Sequence, residues 1–341
     1  MKAKWKFLVG GAAVTLIAMV TGAHASTTLT FSSWIPPQHP LMSKVILPWT
    51  KQVEAATKGN VTVRILAKGL GHPSAHFDIA KGGLADVTFS VHGYTPGRFL
   101  ATQAAEMPFL GNSAEAISVA YWRIHNKFLA PAKEHSGVQL LSVFTHGPGH
   151  IFNSKRAISK LADLQGLKMR IGGGVIAKVA KNLDVAGLSS PATKSYEMLS
   201  NGVADGIFFP HESVGAFKIA KFVPYATEVP GGLYNTSFFL VMNKAKFAGL
   251  SASDQKSILN VSGEAFARMA GKMWDMADQR GIGAQKKAGT KIQKANAELI
   301  GQLKNAAAPI EKEWVEKVQK RGIDGAAVLK ALRGEIAALE K

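Results

Sequence analysis

Apolar residues follow two rhythms along this chain, and the two rhythms alternate. Thr28 to Trp34 (TLTFSSW) is a short run rich in β-branched and aromatic residues and reads as a strand, whereas Leu41 to Thr57 spaces its apolar residues at helical intervals. Val61 to Ala67 returns to the strand pattern, Ser74 to Lys81 reads as a short helix, and Ala85 to Val91 as a third strand. That succession predicts an α/β sheet of mostly parallel strands. Helical spacing from about Asn112 to His135 and a strand over Val138 to Phe144 extend this first unit.

The chain then starts over. A strand over Lys168 to Ile171 leads through Gly172-Gly173-Gly174 into a helix over Val175 to Leu183, followed by a short helix at Ser195 to Asn201 and a strand at Ala204 to Phe209. Two α/β units in succession predict two lobes. Phe238 to Met242 (FFLVM) reads as a buried strand returning to the first lobe. The last third is helical: Ser251-Ala252-Ser253-Asp254 resembles a capping box, its helix runs to about Ala288, and a second helical region extends from Ala295 to near Arg321. The expected division is 26–146 with 236–275 as lobe I, and 147–235 with 276–341 as lobe II.

Ligands of such sheets sit beyond the carboxyl ends of the strands. The loops there, 33–40, 69–76 and 92–98, contribute Trp34, His39, His72, His92 and Tyr94 as candidate ligand contacts. In the second unit Arg170 ends a strand just before the glycine triplet and a helix start. A helix N-terminus offers unpaired N–H donors and partial positive charge, and a guanidinium matches a carboxylate with two parallel donors. The pattern alone leaves Arg170 equally open to a surface ion pair.

Composition narrows the setting. Lys2, Lys4 and Lys6 precede an uncharged run from Phe7 to Val20 and then Thr21-Gly22-Ala23-His24-Ala25. This is the pattern of a secretory signal over residues 1–25 with cleavage after Ala25, too short to span a bilayer. The expectation is a periplasmic protein, soluble and not membrane-inserted after cleavage, of about 316 residues, enough for two cores. The chain has no cysteine, which rules out disulfides, thiolate nucleophiles and iron–sulfur clusters. Its 41 Lys and Arg against 23 Asp and Glu give a net charge of +18. The positive charges are scattered, so they read as a basic surface that steers anions, with no nucleic acid as partner. No H-E-x-x-H, G-x-S-x-G, P-loop or complete G-x-G-x-x-G is present, so no catalytic residue is assigned and no enzyme activity expected. His72, His76 and His92 fit no metal-ligand spacing; neither a metal nor a cofactor is expected.

Three segments carry a resemblance. Leu161-Ala162-Asp163-Leu164-Gln165-Gly166-Leu167-Lys168-Met169-Arg170 is similar to the L-x-D-L-x-G-L-K-x-R of the DctP-type solute-binding proteins of TRAP transporters. Tyr196 to Gly206 resembles that family's Y-x-x-L-x-x-G-V-x-D-G. Met242-Asn243-Lys244 with Phe247, Leu250 and Gln255 resembles its M-N-x-x-x-F-x-x-L-x-x-x-x-Q. The resemblance spans essentially the whole mature chain. It implies a two-lobed periplasmic binding protein fold that closes by hinge bending, with long C-terminal helices spanning both lobes. It also implies a monomeric receptor that delivers a small organic acid to TRAP permease membrane subunits, with Arg170 bidentate to the ligand carboxylate.

Two departures bear on the ligand. Where many members read D-G-Q-E-N-P, this chain has Asp205-Gly206-Ile207-Phe208-Phe209-Pro210, so Phe209 replaces a ligand-holding Asn. Strand alternation places one of Phe208 and Phe209 in the core, and Phe209 is taken as the one facing the ligand. The stretch Thr145 to His150 lacks the second Arg of sialic-acid-type members. Both changes favour a monocarboxylate with an apolar or aromatic body: a 2-oxo, hydroxy or aromatic acid. His211 and Asn235, the latter at the lobe crossing, complete the candidate contacts. The alternatives are a ligand-sensing periplasmic subunit for a membrane signalling protein and a periplasmic hydrolase.

Overall fold

A computed structural model describes residues 1–3 and 26–341; the signal segment expected over residues 1–25 lies, save its first three, outside the described residues. Two sheets organise the chain. The first contains β1 (Thr27–Ser32), β2 (Val61–Ile65), β3 (Val87–Val91) and β4 (Val138–Thr145). The second is built from β5 (His150–Asn153), β6 (Lys168–Ile171), β7 (Ala186–Ser189), β8 (Gly206–Phe209) and β9 (Tyr225–Glu228). The chain then returns to the first sheet with β10 (Ser237–Asn243) and to the second with β11 (Lys291–Lys294). The strand orders are β2-β1-β3-β10-β4 and β11-β9-β5-β8-β6-β7.

The FFLVM segment does return to the first sheet, between β3 and β4 and antiparallel to both. All seven residues of β10 are buried, as expected for a central strand covered on both faces. The four-residue strands β5, β7, β9 and β11 escaped the sequence reading because each is too short to show a period.

Three helices differ from expectation in ways the residues explain. The helix expected over Leu41 to Thr57 opens with a π turn at Met42–Ile46 before the α-helix Leu47–Ala56, because Pro48 has no N–H to continue the ladder. The expected helix over 112–135 is capped by Ser113, is α-helical over Ala114–Ile124 and loosens into a π turn at His125–Leu129 before Pro131. The helical stretch from Ser251 to Ala288 divides into Ala252–Asn260 and Gly263–Lys287. At the break Ser262 turns inward to accept the Trp49 indole N–H at 3.1 Å. A final helix, Gly325–Leu339, went unforeseen.

The 25-residue helix Gly263–Lys287 packs on both units, against helix Ala114–Ile124 at one end and helix His211–Ala216 at the other. Glycines permit the contact: a methyl at Gly271 would meet the Ala114 carbonyl at 2.6 Å, and one at Gly281 the Glu212 amide at 2.8 Å. Helices Ala297–Gln319 and Gly325–Leu339 close the back, burying Trp314, Leu329 and Leu332 in one apolar cluster with Ala105, Ile117, Met169 and Val179. The same core therefore joins elements of both sheets. Among the described residues no helix is long and apolar enough to cross a membrane.

Candidate functional site

A cavity lies where the two sheets face each other, and the carboxyl ends of β1, β3, β4, β6, β7 and β8 all point toward it. The loop after β1 supplies Trp34 and His39, and Tyr94 follows β3. Arg170 and Phe209 arrive from the ends of β6 and β8. The first sheet thus brings amphipathic rings and the second brings the charge.

Arg170 is 2% exposed, although strand β6 begins at the surface. Its Nε and Nη2 both donate to the Ser190 carbonyl, Nε at 2.9 Å, and its guanidinium lies 4.8 Å over the Phe209 ring. Among the described residues no carboxylate stands within ion-pairing distance of it, so the surface ion pair is not what this arginine makes. A buried cation without a counter-ion is costly, by several kcal/mol in real proteins. The Ser190 carbonyl, the Phe209 π face and the cavity are what offset that cost here. The remaining guanidinium donors are available to an anion.

Aromatic side chains enclose the rest. Trp34 is held by donating its indole N–H to the Phe89 carbonyl at 3.1 Å and meets the Tyr94 ring edge-on at 5.8 Å. The Tyr94 hydroxyl accepts from the Ala192 amide at 2.9 Å, tying the first unit to the loop after β7. Phe209 stacks on Phe217 at 5.8 Å, while Phe208 is fully buried in the core with its carbonyl accepting from Tyr234. His39 is buried against Phe217, and burial pushes its pKa down to about 4, so it is neutral at ordinary pH.

Four of the expected contacts stand elsewhere. His72 is exposed and caps the turn Pro73–Ala75, accepting from the Ser74 amide, which satisfies an otherwise unpaired donor. His92 faces away from the cavity into a chain of buried polar groups: its Nε2 meets His135 Nε2 at 2.9 Å and its Nδ1 meets Ser237 Oγ at 3.0 Å. Burial depresses its pKa to about 3. His211 points to the far side of its helix, 3.1 Å from Glu228. Asn235 is buried with both amide atoms unpartnered, while its neighbours Tyr234 and Thr236 line the cavity. Backbone alternation through this crossing explains the difference.

The glycine triplet is also redistributed. The first N–H of helix Val175–Asn182 donates at 2.9 Å to Glu106, a fully buried carboxylate from the first unit, so the helix N-terminus is already filled. The Ser237 hydroxyl donates to the other Glu106 oxygen at 2.6 Å. Gly93 makes room for this junction: a methyl there would meet the Gly174 nitrogen at 2.8 Å.

Sequence reasoning missed His146, Ser213, Phe217, Tyr234, Thr236, Phe238 and Trp274 as cavity residues. Trp274 comes from the middle of the long helix, and only its helical spacing among apolar residues hinted at burial. His146 lies in the very stretch inspected for a second arginine. Among the described residues no three His, Asp or Glu side chains converge in a way that would hold a metal ion.

Comparison with known proteins places this geometry. Residues 31–317 match the model of bacterial extracellular solute-binding protein family 7, DctP. A TRAP periplasmic solute-binding protein of Bordetella bronchiseptica, solved with (R)- and (S)-mandelate, is 41% identical over 92% of this chain and 99% of its own, with a TM-score of 0.90. A marine metagenome TRAP solute-binding protein specific for aromatic acid ligands, solved with 3-hydroxybenzoate, is 34% identical over 93% of this chain and 100% of its own, with a TM-score of 0.86. The outer membrane transporter protein TsaT of Comamonas testosteroni is 30% identical, with 92% of this chain and 93% of that protein aligned.

Proposed function

The chain belongs to bacterial extracellular solute-binding protein family 7, the DctP-type receptors of TRAP transporters, and from that premise we propose that it captures a small aromatic monocarboxylate in the periplasm and delivers it to a TRAP permease. The observation that carries the ligand class is Arg170: a buried guanidinium with no protein carboxylate beside it, opening onto a cavity walled by aromatic rings. The carboxylate of the ligand supplies the missing charge, and its ring fills the space between Trp34, Phe209 and Phe217. Large planar side chains give that contact at low entropic cost, since little rotamer freedom is lost.

Relatives solved with mandelate and 3-hydroxybenzoate support an aromatic acid over a 2-oxo acid or a sugar acid. The lobe boundaries proposed with this reading are 26–146 with 236–275, and 147–235 with 276–341. Sheet membership supports them, because β10 belongs to the first sheet and β11 to the second. Ligand capture then brings the lobes together by hinge bending, with the protein acting as a monomer.

A thermal-shift panel of residues 26–341 tests the reading. Benzoate, mandelate and 3-hydroxybenzoate are expected to raise the melting temperature, and their amides to leave it unchanged, because a ligand selective for the native state stabilises it in proportion to affinity and concentration. Equal shifts for acids and amides, or shifts confined to sugars or amino acids, would show that the arginine does not select the ligand.

A further inference from the structure

At the end of the cavity away from Arg170 stands a second polar group. Two rings link them in turn: the guanidinium lies over Phe209, Phe209 stacks on Phe217, and Phe217 meets His39 at 5.5 Å. His39 and Ser213 both line the cavity there, with Glu212 fully buried behind them.

The hydrogen bonds fix what each atom offers. The Leu41 amide donates to His39 Nδ1 at 3.2 Å, so Nδ1 presents its lone pair and the neutral ring carries its proton on Nε2. That Nε2–H lies 3.5 Å from Glu212 Oε1, too long for a hydrogen bond, and Glu212 Oε1 has no hydrogen-bond partner. Ser213 donates its hydroxyl proton to Glu212 Oε2 at 2.8 Å, which leaves the Ser213 oxygen lone pairs to accept. His39 Nε2–H and the Ser213 oxygen are therefore an unspent donor and an unspent acceptor together at the wall, both on buried side chains, and the Trp274 indole N–H, buried and also without a partner, lies beside Glu212.

A hydroxyl is the group that satisfies both, since it accepts from His39 Nε2–H and donates to Ser213 Oγ. We propose that His39 and Ser213 form a hydroxyl-reading site, so that the ligand is an aromatic monocarboxylate bearing a ring hydroxyl at the end opposite its carboxylate. Glu212 is a positioning residue, orienting the Ser213 hydroxyl. The proposal rests on the aromatic-acid reading above and adds the second recognition group to it. A hydrogen or methyl in place of the hydroxyl leaves the histidine donor buried and unpaired. A second carboxylate brings no proton for Ser213 and meets the Glu212 carboxyl behind it. Buried polar groups left unpaired are what make such sites discriminate strongly against analogues lacking the hydroxyl.

Calorimetric titration separates this from its parent reading. The purified protein is titrated with benzoate, 3-hydroxybenzoate, 4-hydroxybenzoate, phenylacetate and 3-hydroxyphenylacetate. At least one hydroxylated acid is expected to bind about tenfold or more tightly than its parent, the worth of one good hydrogen bond pair. Two variants then test the residues. His39→Asn keeps an acceptor for the Leu41 amide and removes the Nε2 donor, and Ser213→Ala removes the acceptor. Each is expected to shrink the preference, read as the ratio of parent-acid to hydroxylated-acid Kd within the same variant, to about threefold or less. Benzoate binding with no gain from any hydroxyl, or a preference that survives in both variants, overturns the hydroxyl site alone. If no aromatic acid binds, the parent reading falls and this one with it.

Discussion

Two anion sites lie five residues apart in this protein, and they are used in opposite ways. At Arg170 a buried cation has no protein carboxylate. At the N-terminus of helix Val175–Asn182, Glu106 from the other unit occupies the donors. Sequence alone suggested a single site in which arginine and helix start converged on the ligand. The structure divides the two: the arginine is left without a protein carboxylate, which the proposed reading assigns to an incoming anion, and the helix start is filled from within to join the two units. A receptor needs both, because a pocket between two lobes is only as well formed as the contact that holds the lobes in register.

The sharpest break in that comparison comes from the empty site. Arg170→Ala is expected to lower affinity for the best aromatic acid by about 2 to 5 kcal/mol, the range for losing one partner of a buried charge pair. That is roughly thirty- to several-thousand-fold in Kd. Ligand-free stability should hardly fall, since the arginine's charge has no protein counter-ion to lose. Titration calorimetry and a ligand-free melt, side by side, check both halves; a Kd within about threefold of wild type would take Arg170 out of the site.

The filled site should behave in reverse. Glu106→Ala leaves the Val175 amide and the Ser237 hydroxyl without their acceptor in a fully buried place. Its expected effect is a loss of about 2 to 3 kcal/mol in urea unfolding, because orphaned buried donors carry their full desolvation cost. Affinity should weaken by a similar factor for every acid, with no change in the order of preference. A variant that reorders the acids would place Glu106 in ligand recognition and erase the contrast with Arg170.

How far the chain discloses this arrangement depends on the range of the interactions involved. Strands β1, β3 and β10 were legible because their apolar runs are long enough to show a period, and Arg170 because its place just before the glycine triplet is a local fact. The Phe208–Phe209 pair resolves in the structure by simple alternation, with Phe208 in the core and Phe209 at the cavity. What stayed hidden is set by contacts distant in sequence. Glu106 meets Val175 across 69 residues, His92 meets His135 across 43, and Trp274 reaches the cavity from a helix whose partners lie in both units. A histidine in a strand-end loop looks the same in sequence whether it lines the cavity, as His39 does, or turns into a buried polar chain, as His92 does.

Glu212 provides the finest test, because it is the one carboxyl that threatens the contrast from inside the cavity wall. If it were ionised at pH 6, the chamber would already contain an anion of its own near His39 and Ser213, and the field at Arg170 would be partly cancelled. Burial instead raises its pKa from 4.5 to about 7, while His39 is depressed to about 4, so the pair is neutral between those values despite its 3.5 Å spacing. The sign follows from proton counting. Between pH 4.5 and about 7 the folded protein retains a proton that the unfolded chain has released, so Glu212's contribution is full at low pH and disappears as pH rises through about 7. From pH 6 to pH 8 that amounts to about 1 kcal/mol. Wild type should therefore lose that much more stability over this interval than Glu212→Gln, in which the group cannot ionise; Glu106, also raised by burial, acts alike in both proteins and cancels, whereas Asp278, which burial raises and the Glu212 charge raises further, is held in common by making the comparison in an Asp278→Asn background. Aromatic acid affinity should weaken over the same interval in wild type only, as a negative charge appears behind the ring. Parallel pH profiles for the two proteins would mean that Glu212 is already charged at pH 6, and that Arg170 does not face an otherwise uncharged chamber.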